Sequence, residues 1–381
     1  PSASTATRTL NGSGRVMTPH LPVLVILAPL LAAPLCAVAR GHRWPWLIAN
    51  AAAFAAFGFA LLMLAGLPED GALRYAVGGW EAPWGIELRV DAAGALVALL
   101  VAAIAAVVMP YAGRSVEHEI GENRAPLFYA ALMLLVGGLL GICVTGDAFN
   151  VFVFLEISSL ATYALIAMGR NRRALTAAFQ YLIVGTIGAT FYLIGIGFLF
   201  AMTGTLNMVD LAQKLPAVSD SRTVHTAFAF IVTGIGLKLA LFPLHLWLPN
   251  AYTWAPSAVT VMIASTATKV AVYLLLRMIF GVFGADFAYG ISPLGEILLV
   301  LGLAGLLSTS AVSIGQSEVK RMLAYSSVAQ VGYMVLGLAS GTALGLTASL
   351  LHMFNHGLMK GALFMALGAV ALRMGGTRIE H

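Results

Sequence analysis

Charged residues are scarce in this chain, and apolar residues are in excess. Only 10% of its 381 residues are charged, whereas 60% are apolar. Soluble domains contain about 25% charged residues, so this composition excludes an ordinary water-soluble globular protein. A membrane-spanning helix needs about 20 apolar residues, and the length therefore predicts on the order of a dozen spans in a lipid bilayer.

Cysteine is almost absent, and the common cofactor motifs are missing. Cys36 and Cys143 both lie in apolar runs without CxxC or Cys/His spacing, which excludes a disulfide framework and a cysteine metal site. The sequence has no GxxxxGK[ST] motif, no nucleophile constellation, and no ligand set for haem, flavin or an iron–sulfur cluster. We expect no cofactor. The 21 Lys and Arg residues form no basic stripe, which excludes nucleic acid as a partner.

Long apolar runs predict the fold. Because backbone polar groups in lipid must be satisfied within the protein, and because the runs exceed the length of barrel strands, each should be a helix. The prediction is an all-α polytopic bundle of about eleven spans. The runs are 21–39, 46–67, 92–111, 125–144, 151–168, 176–202, 226–242, 259–282, 294–312, 322–338 and 344–372. Residues 1–16 are polar and are expected to form a disordered tail. The first run resembles a signal peptide, but its length and the following Arg40 and Arg43 favour a retained anchor.

Two connections carry structure of their own. The stretch YAVGGWEAPWGIELRVD at residues 75–91 alternates in places and contains turn residues, which predicts an external β-hairpin or cap. Residues 206–222 have apolar residues at helical spacing with Asp210 and Lys214 between them. This pattern predicts a short helix lying in the membrane interface.

The distribution of Lys and Arg predicts the orientation. Of the 18 such residues outside the membrane core, eleven follow odd-numbered spans. These are Arg40, Arg43, Arg114, Arg124, Arg170, Arg172, Arg173, Lys320, Arg321, Arg373 and Arg378. The positive-inside bias therefore predicts a multi-pass protein of the inner (plasma) membrane with its N-terminus outside.

Ionisable residues in the middle of spans are the strongest functional signal, because each costs about 2.5–3.5 kcal/mol or more at the bilayer centre. Glu156 has apolar neighbours on both sides and is interpreted as a proton-binding carboxyl, with a structural helix–helix hydrogen bond as the alternative. Lys238 lies five residues before Pro243, which should break its helix. Broken helices at membrane depth can line a wet cavity, and His245 follows the break. We expect the chain to be irregular from there to Ala258. The alternative is a packed proline kink.

Further ionisable residues lie in two later spans. Lys269 is interpreted as a proton relay, or equally as the structural partner of a carboxylate. His352, His356 and Lys360 recur every four residues and so share one face of a helix, which should point into the bundle. A histidine–lysine stripe suits proton transfer better than metal binding, because there is no HExxH motif and the lysine would repel a cation.

Several blocks carry a family resemblance. They are TGDAFNVFVFLEISSLATYALIA, TGTLNMVDLA, GLKLALFPLHLWLPNAYTWAPSAV, TKVAVYLLLR, SEVKRMLAYSSVAQVGYM and HMFNHGLMKGALF. The chain resembles the antiporter-like proton-translocating subunits shared by respiratory complex I, membrane-bound hydrogenases and Mrp-type sodium/proton antiporters. GGWEAPWGIELRVD and TGTLNMVDLA are most similar to the D-type component of the Mrp antiporters.

The resemblance implies a domain organisation. Residues 17–124 would form N-terminal helices with the external hairpin, and residues 125–282 a first five-helix repeat containing the broken helix. Residues 290–381 would form part of a second, inverted repeat, which is truncated here. A complete transmembrane path within this chain alone is therefore not expected.

The resemblance also implies roles for the ionisable residues. Glu156 and Lys238 would be the coupling pair, Lys269 would continue a central hydrophilic axis, and His352, His356 and Lys360 would belong to that axis. Lys320 would lie near it.

Together with the ionisable residues in mid-span, the resemblance implies a proton-translocating subunit of a multisubunit sodium/proton antiporter. By itself the chain would be a transporter subunit, working with other subunits, protons, possibly sodium and the lipid bilayer. One alternative is a proton-pumping subunit of a complex I-like NADH:quinone oxidoreductase or a membrane-bound hydrogenase. Another is a non-conducting scaffold, and a third is a stand-alone solute permease, which would need a polar ligand pocket at the Pro243 break.

Overall fold

The computed structural model describes residues 18–69 and 71–379, and the predicted tail at 1–16 lies outside them. Fourteen α-helices and two strands occur in these residues. In chain order they are α1 Leu21–Val38, α2 Arg43–Ala65, β1 Leu73–Ala76, β2 Glu87–Val90, α3 Ala92–Glu119, α4 Ala125–Val144, α5 Ala148–Ala167, α6 Arg173–Thr203, α7 Met208–Lys214, α8 Arg222–Leu239, α9 Trp247–Trp254, α10 Ser257–Ser265, α11 Ala267–Leu276, α12 Leu294–Ile314, α13 Val319–Ala339 and α14 Ala343–Met374.

Ten helical segments within the described residues are long and apolar enough to cross a membrane. One of them joins α10, α11 and the π-helical stretch Arg277–Phe283 into a single 27-residue span. The predicted run at 226–242 is not among these ten. It corresponds to α8, which has 18 residues and ends at a break. The predicted all-α polytopic bundle is confirmed, while its division into inverted repeats stays a prediction.

One end of the bundle carries the hairpin, and we call it the hairpin face. Strands β1 and β2 pair antiparallel, with Leu73 opposite Val90. The turn between α4 and α5 joins them, because Gly146 N donates to Glu87 O, and α7 starts where Met208 N donates to Gly146 O. The predicted hairpin and the predicted short helix are both present.

The opposite end of the bundle we call the arginine-rich face. It contains the turns at 39–42, 120–124, 168–172, 255–256 and 315–318 and the segment 375–379. Two contacts tie it together: the Arg173 guanidinium lies 5.0 Å from the centre of the Trp254 ring, and Val319 N donates to Thr377 O.

The helix carrying Lys238 breaks before Pro243, as predicted. Proline cannot donate a hydrogen bond to the carbonyl four residues earlier, and α8 ends at that residue, Leu239. Ala240 then adopts a left-handed conformation (φ 61°), the only positive φ of a non-glycine residue in the described chain. Trp247 Nε1 donates at 3.0 Å to the carbonyl of Leu237, which also accepts from Ala240 N.

The expectation of irregular chain up to Ala258 was wrong. Helix α9 re-forms at Trp247 and runs to Trp254. Pro249 is its third residue, where the backbone N–H has no partner within the helix, so proline is tolerated. Only Ala255 and Pro256 separate α9 from α10.

A second break, which the sequence did not predict, lies between α10 and α11 at Thr266 (φ −125°, ψ −52°). No proline or glycine is responsible. Thr266 Oγ1 instead donates to Met262 O at 2.6 Å, and serine and threonine hydroxyls that compete for backbone carbonyls in this way favour helix ends and bends. Lys269 is the third residue after this break.

Glycines allow neighbouring helices to touch through their backbones, as two crossings show. A Cβ atom on Gly234 in α8 would lie 2.5 Å from Gly188 O and 2.7 Å from Tyr192 N in α6. Gly302 and Gly332 make the corresponding contact between α12 and α13. In lipid the hydrophobic effect does not drive helices together, and small residues at helix crossings instead allow close van der Waals packing.

We expect Gly234→Ala to lower the midpoint of thermal unfolding in detergent, at a cost of about 1–3 kcal/mol, because α6 and α8 must move apart. Gly197→Ala in α6 is the matched control, since a Cβ there meets nothing within 4 Å. Equal midpoints for the two variants would contradict the proposed crossing.

Candidate functional site

Glu156 and Lys238 face each other inside the bundle. Glu156 Oε1 lies 3.9 Å from Lys238 Nζ, and the two side chains come from α5 and α8. Lys238 Nζ donates its hydrogen bond to Ser159 Oγ at 2.7 Å, so the hydroxyl, one turn after Glu156, holds the ammonium. The ion pair is therefore close but not hydrogen-bonded.

A small cavity of about 30 Å³ lies beside Lys238. Its lining is polar where Ser158, Ser159 and Thr162 contribute hydroxyls, and it reaches Ala267 and Val270 of α11. This volume can hold about one water molecule with several polar partners. The cavity therefore joins the Lys238 site to the helix that carries Lys269.

Lys269 is fully buried (1% exposed), and its ammonium lies at the break between α10 and α11. Its Nζ donates to Ala264 O at 2.5 Å and to Thr268 Oγ1 at 3.3 Å. Because the helix is interrupted at Thr266, the Ala264 carbonyl is free to accept a side chain. No carboxylate of the described residues lies within salt-bridge distance of Lys269.

The stripe on α14 points into the bundle. His356 and Lys360 are buried, and His352 is half-buried. The two histidine rings are stacked, with centroids 6.1 Å apart. Lys360 Nζ donates to Leu323 O at 2.8 Å and to Ser326 Oγ at 3.1 Å in α13. The charged or titratable neighbours of His356 are Lys269, Lys360 and His352, so α11 and α14 meet here.

The two remaining predicted residues lie at different places. Lys320, at the start of α13, donates from Nζ to Ala255 O at 2.9 Å, in the turn between α9 and α10. His245 lies in the unwound segment 240–246 with its ring stacked on that of Phe242. The structure shows no contact between His245 and the Glu156–Lys238 pair.

Buried polar atoms without a hydrogen-bond partner concentrate in this region of the described protein. They include Glu156 Oε1, Ser265 Oγ, His352 Nε2 and both ring nitrogens of His356. Each such atom costs about 1–3 kcal/mol when nothing solvates it. A cluster of such buried polar atoms is typical of a path that conducts water or protons. Within residues 18–69 and 71–379, no three His, Cys, Asp or Glu side chains converge as metal ligands would.

Sequence reasoning missed the ion pair between Asp91 and Arg277. The guanidinium makes two hydrogen bonds to the carboxylate, at 2.6 and 2.8 Å, and two more to Tyr273 Oη. Asp91 also caps α3 by accepting from Gly94 N. One helical segment carries Lys269, Tyr273 and Arg277 at intervals of four residues. This spacing places Arg277 on the same face as Lys269 and could have indicated it as a site residue.

Comparisons with known proteins agree with this arrangement. Residues 145–380 match the family described as NADH:quinone oxidoreductase/Mrp antiporter, transmembrane. The chain belongs to this family. It is 46% identical over 368 residues to the N-type component of NADH-quinone oxidoreductase from Desulforudis audaxviator, covering 96% of this chain and 72% of that protein.

Two further proteins are similar over most of the chain. The D-type component of the Na⁺/H⁺ antiporter from Bacillus subtilis is 31% identical over 365 residues, which cover 94% of this chain and 71% of that protein. A chain in the structure of the membrane-bound sulfane sulfur reductase, an archaeal respiratory membrane complex, superposes with a TM-score of 0.87 at 30% identity. That superposition covers 95% of this chain and 73% of the other.

The family resemblance seen in the sequence is thus confirmed, but the particular likeness to the Mrp D-type component is not. Identity to the NADH-quinone oxidoreductase protein is higher than identity to the antiporter protein. The similar solved structure shows that such chains occur in multisubunit membrane complexes. This chain is therefore an antiporter-like membrane subunit.

The Asp91–Arg277 pair should stabilise the protein through mutual coupling. A double-mutant cycle with Asp91→Asn and Arg277→Gln, measured by thermal unfolding in detergent, should give a coupling of roughly 1.5–3 kcal/mol, typical of hydrogen bonds to charged groups. Purely additive effects of the two substitutions would contradict this assignment.

The same pair predicts a pH dependence of stability. Burial raises the pKa of Asp91, but the hydrogen bonds and charge of Arg277 lower it by more, so the pKa lies below its ordinary value. The contribution of the pair is therefore complete above about pH 3.9, the unfolded-state pKa, and is lost as the pH falls below it. Asp91→Asn should remove this part of the acid destabilisation.

Proposed function

We propose that this chain translocates protons through the buried groups that begin at Glu156 and Lys238. The observation that carries the proposal is the 3.9 Å separation of Glu156 Oε1 and Lys238 Nζ, with the ammonium bonded to Ser159 instead of the carboxylate. A buried pair held this loosely can open and close. A fully hydrogen-bonded pair would resist that movement more strongly.

Opening the pair would change the proton affinity of Lys238. While Glu156 is near, its negative charge favours the ammonium. When Glu156 moves away, an uncompensated ammonium in a low-dielectric site is unfavourable, and Lys238 should release its proton. The small cavity that reaches α11 gives a direction for this release, towards Lys269.

The groups beyond Lys269 can continue the transfer. Lys269, His356 and Lys360 are mutual neighbours, and the stacked imidazoles of His352 and His356 can each accept and donate a proton. In this proposal Lys269 and the α14 stripe form the transfer chain between Lys238 and α13. Each group accepts a proton in its neutral form, and the chain works in either direction. His245 has no assigned step because it contacts none of these groups.

Replacing the coupling carboxyl tests the proposal. Glu156→Gln keeps the shape of the side chain but removes its charge and its proton exchange, and we expect proton transport to fall by about 100-fold in the complete complex reconstituted in vesicles. The measurement is the decay of an imposed pH gradient. Glu296→Gln, an exposed carboxyl at the start of α12, is the matched control.

The scaffold alternative gives the opposite result. If the buried charges only hold helices together, a paired apolar replacement such as Glu156→Leu with Lys238→Met should leave transport at its wild-type rate. Wild-type transport in that variant, with the complex assembled, would reject the proposal.

The complex itself has two candidates. We propose a sodium/proton antiporter complex in the inner membrane, with the N-terminus outside, on the basis of the likeness to the D-type antiporter component. The higher identity to an NADH-quinone oxidoreductase protein favours the second candidate, a redox-driven proton pump.

Ion and substrate dependence separate these candidates. In vesicles that contain the purified native complex, an antiporter should exchange protons only when sodium or another monovalent cation is present on the opposite side. A redox-driven pump should acidify one compartment only when an electron donor and a quinone are supplied. Proton movement driven by quinone reduction without sodium would exclude the antiporter assignment.

A further inference from the structure

The turn between α9 and α10 is held from both sides by charged groups. Glu119, the last residue of α3, accepts a hydrogen bond from Ser257 N through Oε2 at 3.0 Å. Lys320 donates to Ala255 O in the same turn. A carboxylate and an ammonium thus bind backbone groups on either side of Pro256, and this turn lies between the two helix breaks.

A cavity of about 380 Å³ reaches these two groups at the arginine-rich face, and we call it the vestibule. Its charged or titratable lining residues are His118, Glu119, Arg170, Glu318, Lys320 and Arg378. Glu119 is half-buried, whereas Lys320 is only 8% exposed. The vestibule is therefore large enough for several waters, with an accessible carboxylate in front of a buried ammonium.

Lys320 also lies close to the inner groups along α13. The carbonyl that accepts from Lys360 Nζ belongs to Leu323, one helical turn after Lys320. The negative charges that act on Lys320 come from Glu119 and Glu318. Lys320 thus stands between the vestibule and the end of the α14 stripe.

We propose that Glu119 collects protons from vestibule water and passes them to the buried groups through Lys320. This inference rests on the proposed function and adds a proton-loading site at one end of the path. Glu119 binds a proton and becomes neutral, and Lys320 then passes its own proton inwards to Lys360, which accepts it as a neutral amine after giving its previous proton to the α14 stripe. The neutral amine of Lys320 takes the proton from Glu119, and both groups regain their original charges. One proton has then moved inwards.

Glu119→Gln is the decisive substitution. The amide oxygen of glutamine can still accept from Ser257 N, so the turn keeps its hydrogen bond while the exchangeable proton is lost. Transport by the complete complex in vesicles should remain near wild type at pH 6, where protons are abundant, and should fall about tenfold or more at pH 8.5. A structural role alone would lower transport equally at every pH.

Two controls make the result specific. Glu122→Gln removes an exposed carboxyl three residues away on the same face and should leave the pH profile unchanged. His118, Arg170, Glu318 and Arg378 face Glu119 across the vestibule. Tyr111, Arg114 and Arg373 line a neighbouring cavity that also reaches Glu119. His118 carries the only imidazole among these groups, so His118→Gln is measured in parallel.

Thiol labelling tests access to the vestibule independently. The two native cysteines are buried, so an introduced cysteine provides the accessible thiol. Ala371 lines the vestibule, and Ser219 lines a separate cavity at the hairpin face. A charged, membrane-impermeant methanethiosulfonate reagent added at the arginine-rich face should inhibit Ala371→Cys, and Ser219→Cys should stay active.

The outcomes are distinguishable. If Glu156→Gln transports normally, the proposed function fails and this inference fails with it. If Glu156→Gln is inactive but Glu119→Gln has the wild-type pH profile, only the loading site is wrong. A profile that changes in His118→Gln and not in Glu119→Gln would also overturn the assignment to Glu119.

Discussion

Four lysine side chains are buried among the described residues, where few carboxylates lie beside them, and the rest of the architecture depends on how these lysines are solvated. A charge at this depth requires several polar contacts to be tolerated. Lys269 and Lys320 bind backbone carbonyls next to helix ends, Lys360 binds a carbonyl and a hydroxyl, and Lys238 binds a hydroxyl. These lysines are therefore stabilised mainly by neutral carbonyl and hydroxyl dipoles, whereas counter-ions usually stabilise buried charges in a soluble protein.

Two of these dipoles are carbonyls at helix ends. Lys269 binds Ala264 O just before the break at Thr266, and Lys320 binds Ala255 O in the α9–α10 turn. The last carbonyls of a helix have no partner within it, so they can accept from a side chain. Lys360 and Lys238 differ, because Leu323 O lies inside α13 and Ser159 offers a hydroxyl. The helix end and the lysine are therefore linked physically for Lys269 and Lys320.

Solvation by dipoles also favours proton movement. A lysine bound only to carbonyls and hydroxyls is sensitive to every charge that changes nearby, because no fixed counter-ion dominates the local field. Lys269, His356 and Lys360 are close enough to influence one another. A proton arriving at one of them changes the stability of protons on the others, which is the physical requirement for stepwise transfer.

The sequence alone determined the class of fold and the main candidates. Low charge and long apolar runs require a helical membrane bundle, Pro243 requires a helix break, and four-residue spacing requires His352, His356 and Lys360 to share a face. Only the tertiary structure decided which candidates meet, because contacts between distant segments leave no local pattern. In the structure, His245 makes no contact with the Glu156–Lys238 pair, and a helix begins again at Trp247. The structure also shows the break at Thr266. It also brought Glu119 and Lys320, 201 positions apart in the chain, to the same two-residue turn.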